Sequence, residues 1–251
     1  MALARWRGDF RRWAKEPGSP VCEVDLDVDR FLHARLTALA PDAGWLSEET
    51  ADSADRLGRD QVWVVDPIDG TRDYLRGRSG WSVSIALVEG GRVMLGVLDA
   101  PARSERWQAE AGRGATVNGR ALRAGGRTVF PGSRVATDAL PKADADLVAV
   151  PRPNSIALRM AMVAADEVDL VATLRWGNEW DVAAAALIAE EAGAAVTTRS
   201  VGRSGSTSPT RRRSACWSAP GACTRRRWRG SGRGRRRCWA ELSPTFSSPR
   251  P

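Results

Sequence analysis

The sequence predicts a mixed α/β chain, and three observations predict it. Short apolar runs suited to buried strands recur at Val62–Val65, Leu147–Val150 and Leu170–Ala172. Two alternating segments, Trp81–Val88 and Val93–Leu98, flank Glu89-Gly90-Gly91-Arg92 and read as a hairpin. Three further segments, 24–39, 155–165 and 181–192, carry apolar residues at helical spacing. A chain of 251 residues fits one large domain or two small ones. Composition sets a tail, 199–251, apart from the body, for which a first half, 1–130, and a second half, 131–198, are expected.

Taken in order, Trp6 to Lys15 reads as the end of a helix, broken by Glu16-Pro17-Gly18-Ser19-Pro20. Val24, Val28, Phe31, Leu32, Leu36 and Leu39 then define an amphipathic helix that stops before Pro41. Asp25 lies at its front, where the helix dipole favours an acid. Asp27 and Asp29 read as solvated. His33 is the chain's one histidine and reads as a surface or partly packed residue, so a His-rich metal centre and a histidine phosphatase pair are both excluded. Glu48-Glu49 follows Trp45-Leu46-Ser47, and residues 51–60 form a polar connection with the character of a lid.

The stretch Trp63-Val64-Val65-Asp66-Pro67-Ile68-Asp69-Gly70-Thr71-Arg72 organises the rest. An apolar strand delivers two carboxylates into a turn, and a helix can start behind it at Arg72–Leu75. Carboxylates are hard oxygen ligands for Mg²⁺. The N–H groups of a helix start can hold a phosphate. After the hairpin, Trp107–Ala111 adds a strand and 112–119 a Gly-rich turn. Val135–Thr137 and Leu147–Val150 read as strands. Ser155–Ala165 is a buried helix whose Met residues fill core. Asp181 opens the last helix as its N-cap, and Gly193 stops that helix.

D-P-I-D-G-T at 66–71 resembles the signature of the inositol monophosphatase superfamily, Mg²⁺-dependent and lithium-sensitive phosphomonoesterases. Further segments match in order: G-S-P-V-x-E-x-D ending at Asp25, S-E-E at 47–49, G-x-G-A-x-x-N-G at 112–119, and W-D-x-A-A-x-x-L-I-x-x-E-A-G from Trp180. The segment S-x-A-L from Ser155 matches with Asn154 in place of the family's glycine. The resemblance runs from about Lys15 to Thr197 and implies a layered α-β-α-β-α sandwich whose C-terminal part is incomplete here. It also implies a clipped N-terminus, because the family's first helix is longer.

For the site, the resemblance implies two or three Mg²⁺ ions. Glu48, Asp66 and the Ile68 carbonyl would hold one, and Asp66, Asp69 and Asp181 a second. Glu49 would support them from behind. Thr71, paired with Asp25, would orient a cation-activated water and take its proton. Gly70 and Thr71 would grip the phosphate, with Arg72, Ser155, Arg159 and Asp181 on the substrate. Phosphate would pass directly to water. Thr71-Arg72-Asp73-Tyr74 resembles the 3′(2′),5′-bisphosphate nucleotidase branch, and Arg159 and Leu174 fit it. The expected reaction is therefore adenosine 3′,5′-bisphosphate to AMP and phosphate, with inositol-1-monophosphatase as the alternative.

The tail departs from all this. Residues 198–251 hold 14 Arg and one acid, giving +13, while the other 24 basic and 29 acidic residues give −5; together these make the overall +8. A basic balance suggests nucleic acid, but here the basic excess lies wholly in a stretch without apolar periodicity. Cys216, Cys223 and Cys238 form no C-x-x-C pair. The tail reads as a GC-rich frame translated out of register near 197–200, ahead of a disordered arm, a metal knuckle or a nucleic-acid segment. On that reading the chain could also be an inactive truncated product. No run of 18 apolar residues and no signal-like start occur, so no membrane partner is expected and a cytoplasmic location is. The expected partners are a small phosphate ester and, for assembly, a second copy of the chain.

Overall fold

The structure is a computed structural model that describes residues 1–16, 19–172, 178–199 and 214–218. Its elements in order are α1 (Ala2–Arg5), β1 (Arg12–Glu16), β2 (Ser19–Cys22), α2 (Glu23–Leu39), β3 (Gly44–Ser47), β4 (Gln61–Asp69) and α3 (Thr71–Leu75). They continue with β5 (Ser82–Glu89), β6 (Arg92–Ala100), β7 (Glu105–Glu110), β8 (Ala115–Val117), β9 (Arg120–Ala121), β10 (Arg134–Ala136) and β11 (Val148–Val150). Last come α4 (Ile156–Ala164), β12 (Leu170–Ala172), α5 (Glu179–Glu191), β13 (Ala195–Arg199) and β14 (Ser214–Ser218).

Strands β3 to β9 form one sheet in sequence order, with β3 and β4 parallel and the rest antiparallel. Alternation along β4 and β5 assigns the two faces. Trp63, Val65, Ile85 and Leu87 pack with Leu36 of α2 on one side. Val64, Ala86, Leu98 and Trp107 pack with α4 and α5 on the other. A second sheet, ordered β11-β10-β12-β14-β13, lies beyond α4 and α5. The described residues thus build α, β, α and β layers of the expected sandwich; a fifth layer is not among them. Nor, among them, is any helix long and apolar enough to cross a membrane.

Gly96 shows how closely the layers meet. A Cβ there would stand 2.7 Å from the Ala184 carbonyl oxygen of α5, so only glycine lets β6 and α5 approach this far. Tyr74 and Trp81, fully buried and edge-to-face at 4.9 Å, anchor the N-terminal segment. The Tyr74 hydroxyl donates to the Ala2 carbonyl at 2.9 Å.

Four expectations need correction. Residues 6–15 are not a helix: α1 ends at Arg5, and Arg12–Glu16 pairs antiparallel with Ser19–Cys22, placing Trp13 opposite Val21. Asp181 is the third residue of α5 rather than its N-cap, which is Asn178. The tail is not without a strand, because backbone pairing of 214–218 with both β12 and β13 closes the second sheet. Asp29 is not solvated but 6% exposed. Leu174, residues 219–251 and the tail readings resting on them lie outside the described residues.

Candidate active site

The site begins with a bulge in β4. Asp66 pairs with Ser84, and Asp69 with Ser82, so three steps on β4 match two on β5. In a regular strand residues three apart face opposite sides. The extra residue, at Pro67-Ile68 where proline offers no N–H, turns Asp66 and Asp69 to the same side. The bulge closes on itself: the Ile68 N–H donates to Asp66 Oδ1 at 3.0 Å. Gly70 then leaves the strand at φ 92°, a conformation in which a Cβ would also meet Gly80 O and Ser155 N, each at 2.8 Å.

Four helix starts converge on this turn. In α2, Asp25 accepts the Cys22 N–H at 2.8 Å and the Cys22 thiol at 2.9 Å through Oδ2. Its Oδ1 lies 3.4 Å from Thr71 Oγ1 at the start of α3. The single Thr71 hydroxyl proton has a second acceptor, the Ile68 carbonyl, at 3.0 Å. In α4, Asp69 Oδ2 accepts Ser155 Oγ at 2.5 Å and Ala157 N at 2.8 Å, and Oδ1 accepts Ile156 N at 3.3 Å. In α5, Asp181 Oδ2 accepts Asn178 N at 2.7 Å. The positive ends of these helices favour the acids gathered there.

Glu48 reaches the same point from β3. Its N–H continues the ladder to the Val65 carbonyl at 3.2 Å. Lys15 of β1 donates to its carbonyl at 3.2 Å and pairs with Glu49 at 2.6 Å. Oxygens of Glu48, Asp66 and Asp181 all lie within 4.8 Å of one another. One buried and two half-buried carboxylates this close, offering only hard oxygen donors, suit Mg²⁺ better than zinc, which prefers nitrogen and sulfur donors.

The cluster holds its protons tightly. Burial, then Glu49, pushes Glu48 up to about 8. Burial, then Asp69, pushes Asp181 up to about 7. Burial, with Glu48 next, holds Asp66 well above the carboxylate range. Burial also raises Asp69 and Asp25, and drives the Cys22 thiol up to about 12. A carboxyl raised in the folded state binds more protons there than when unfolded. Its contribution is fully kept below about pH 4, the unfolded range, and is lost as pH climbs through the folded values of about 7 and 8. Without divalent cation, the melting temperature should therefore fall between about pH 5 and pH 8, and Mg²⁺ should restore it at pH 8. Thermal melts in EDTA and in Mg²⁺ check this; a cation-free melting temperature that rises over that window contradicts it.

A cavity of about 740 Å³ opens over the cluster. Glu48, Asp66, Asp69, Asp181, Gly70 and Thr71 form its floor. Arg72, Arg152 and Arg159 line it further out. Arg159 donates to the Ser155 and Asn154 carbonyls, each at 3.2 Å, and Arg152 pairs with Asp138. Of the expected site residues, Ser155 is the one turned away. It is fully buried, its hydroxyl bonding Asp69 while accepting Leu158 N at 2.9 Å. Asp69 is at the site but stands outside the close trio, because both its oxygens hold α4. Sequence reasoning missed Lys15, Cys22 and Asp29. Asp29 left a trace, as an acid four residues beyond Asp25 on the buried face of its helix, and Cys22 another, at capping-box spacing three residues before Asp25.

Comparison with known proteins follows this geometry. A sequence model described as the inositol monophosphatase family matches residues 3–218, past the point near Thr197 where the motif resemblance ends. The chain is 35% identical over 191 residues to a Thermotoga maritima fructose-1,6-bisphosphatase/inositol-1-monophosphatase, covering 70% of each. It is 33% identical over 202 residues to an inositol-1-monophosphatase of Mesorhizobium japonicum, covering 73% of each. Among solved structures, the suhB protein of Bartonella henselae superposes with a TM-score of 0.76 at 26% identity, covering 88% of both chains.

Proposed function

The chain belongs to the inositol monophosphatase family, and from that premise we propose that it hydrolyses a small phosphate monoester with Mg²⁺ at the carboxylate cluster. The observation that carries this is the trio Glu48, Asp66 and Asp181, whose oxygens all lie within 4.8 Å of one another. Such a trio is stable as anions only with a cation between them. A first ion would be held by Glu48, Asp66 and the Ile68 carbonyl. A second would draw on Asp66, Asp181 and Asp69, whose Oδ1 gives up only the 3.3 Å bond to Ile156 N. A third can enter with substrate. Bound there, the cations supply charge neutralisation of the phosphoryl group and acidification of water.

The chain's own residues do the rest. The Gly70 and Thr71 amides, at the start of α3, hold phosphate oxygens. Thr71 Oγ1 accepts a proton from the attacking water and passes its own to Asp25 Oδ1. Asp25 is held in that direction by Cys22, whose N–H and thiol occupy its other oxygen. The Asp25 carboxyl is raised by burial, which suits it to receive a proton. Water attacks phosphorus as the ester P–O bond breaks, the leaving oxygen takes a proton from solvent, Asp25 returns the one it received to solvent, and no covalent enzyme intermediate forms.

For the substrate, the named relatives favour inositol 1-phosphate, since several carry that activity in their names. The three arginines along the cavity favour a substrate with a second anionic group, such as adenosine 3′,5′-bisphosphate. Phosphate release on both compounds separates the readings. If the bisphosphate is the substrate, Arg159→Ala should raise its KM about tenfold, the loss of one charge-assisted hydrogen bond, and leave inositol 1-phosphate within about threefold. Equal effects on both substrates, or no bisphosphate hydrolysis, would leave inositol 1-phosphate as the substrate.

A further inference from the structure

Glu48 leaves the sheet at the end of β3, and its last ladder bond is to Val65. What then directs its side chain at Asp66 and Asp181? The segment is bracketed by one carboxylate from another element. Asp29 of α2 accepts Ser47 Oγ at 2.5 Å through Oδ1 and Thr50 Oγ1 at 2.6 Å through Oδ2. These hydroxyls stand immediately before Glu48 and immediately after Glu49. The Glu49 N–H also donates to Ser47 Oγ at 3.3 Å. Ser47 and Asp29 are both buried, at 3% and 6% exposure. A buried carboxylate retained here needs its hydrogen bonds, and both of its oxygens have them.

Asp29 lies four residues after Asp25, so the two share one face of α2. One rigid helix thus carries the acid beside Thr71 and the clamp on the Glu48 turn. We propose that Asp29 is a positioning residue for the cation site: it fixes the 47–50 turn so that Glu48 points at Asp66 and Asp181. This rests on the reading that Glu48, Asp66 and Asp181 hold the cation. Asp29 touches neither cation nor substrate and acts through Glu48 alone. Supporting groups behind metal ligands commonly change affinity 10–100-fold.

The test is Mn²⁺ binding by the full chain, read as loss of the free-ion electron paramagnetic resonance signal, with far-ultraviolet circular dichroism on each variant. Asp29→Ala should weaken Mn²⁺ binding on the order of tenfold or more. Thr50→Val, which keeps shape and removes one clamp bond at an exposed position, should weaken it in the same direction if Asp29→Ala fails to fold. Asp29→Asn should stay within about threefold of the unmodified protein. Its amide oxygen can accept one hydroxyl and its NH₂ can donate to the other. Unmodified affinity in folded Asp29→Ala, or in Thr50→Val, overturns the proposal while leaving the cation site in place. Absence of Mn²⁺ binding by the unmodified protein removes the site itself, and the clamp with it.

Discussion

Asp66→Asn should lower turnover about a thousandfold or more while leaving the protein folded. Asp66 is 1% exposed, and its carboxylate lies within 4.8 Å of those of Glu48 and Asp181. The asparagine can keep the one bond that shapes the bulge, since its Oδ1 still accepts the Ile68 N–H. It loses the charge on which both proposed ions depend. Metal stabilisation of a phosphoryl transition state is worth several kcal/mol, and ~4 kcal/mol corresponds to about a thousandfold. The same change removes one of three mutually repelling acids. Cation-free Asp66→Asn should therefore melt higher than the unmodified protein at pH 8, while gaining less from Mg²⁺. Steady-state rates and paired melts report both halves. Activity within about tenfold of the unmodified enzyme contradicts the cluster's role, however stable the variant proves.

Thr71→Val should cut kcat by about 10²–10⁴, the usual range for a proton-transfer group, with a smaller change in KM. Valine fills the threonine's volume and keeps the Thr71 amide for phosphate, so the loss falls on the hydroxyl. That hydroxyl is the link between the cavity floor and Asp25, 3.4 Å behind it. Asp25→Asn should lose a similar factor, because it can still accept from Cys22 through one oxygen but cannot take up the proton. The two act in series, so the double variant should be little worse than either single one. Multiplying losses would mean that Thr71 and Asp25 serve separate steps, and the proton path would be wrong.

Much of this was legible in the chain, because the informative signals were local. The helix of Val24, Val28 and Leu36 buries one stripe, the hairpin around Gly90-Gly91 pairs as its alternation reads, and the strand before Asp66, apolar at every step from Val62, is buried on both faces. Even the bulge had its sign in Pro67, a residue without a ladder donor. The first hairpin was misread for an equally local reason. Arg12–Lys15 is exposed, with a charged residue at each end, and pairs as a strand with Ser19–Cys22 although Pro17-Gly18 reads in the sequence as a helix stop. Asp29 was read from its type, as an acid in a helix, when its position was the better guide. It falls on the stripe of Val24, Val28, Leu32 and Leu36, which packs inward. Lys15 acquires meaning only from its tertiary pairing with Glu49, which no spacing in the chain encodes, whereas Cys22 stands three residues before Asp25 in a local capping box that a cysteine at the N-cap disguises. Ser155 was matched by motif to the substrate, yet it faces Asp69, because an N-cap hydroxyl is already committed to its own helix.

The central claim is that separated carboxylates gather around divalent cations, and anomalous diffraction from crystals grown with Mn²⁺ addresses it most directly. A peak should lie about 2.1 Å, the bonding distance expected for a small hard cation, from oxygens of Glu48 and Asp66, with a second peak reached by Asp66 and Asp181. Density showing those three side chains without any ion between them, in a crystal saturated with Mn²⁺ above pH 8, would contradict the account.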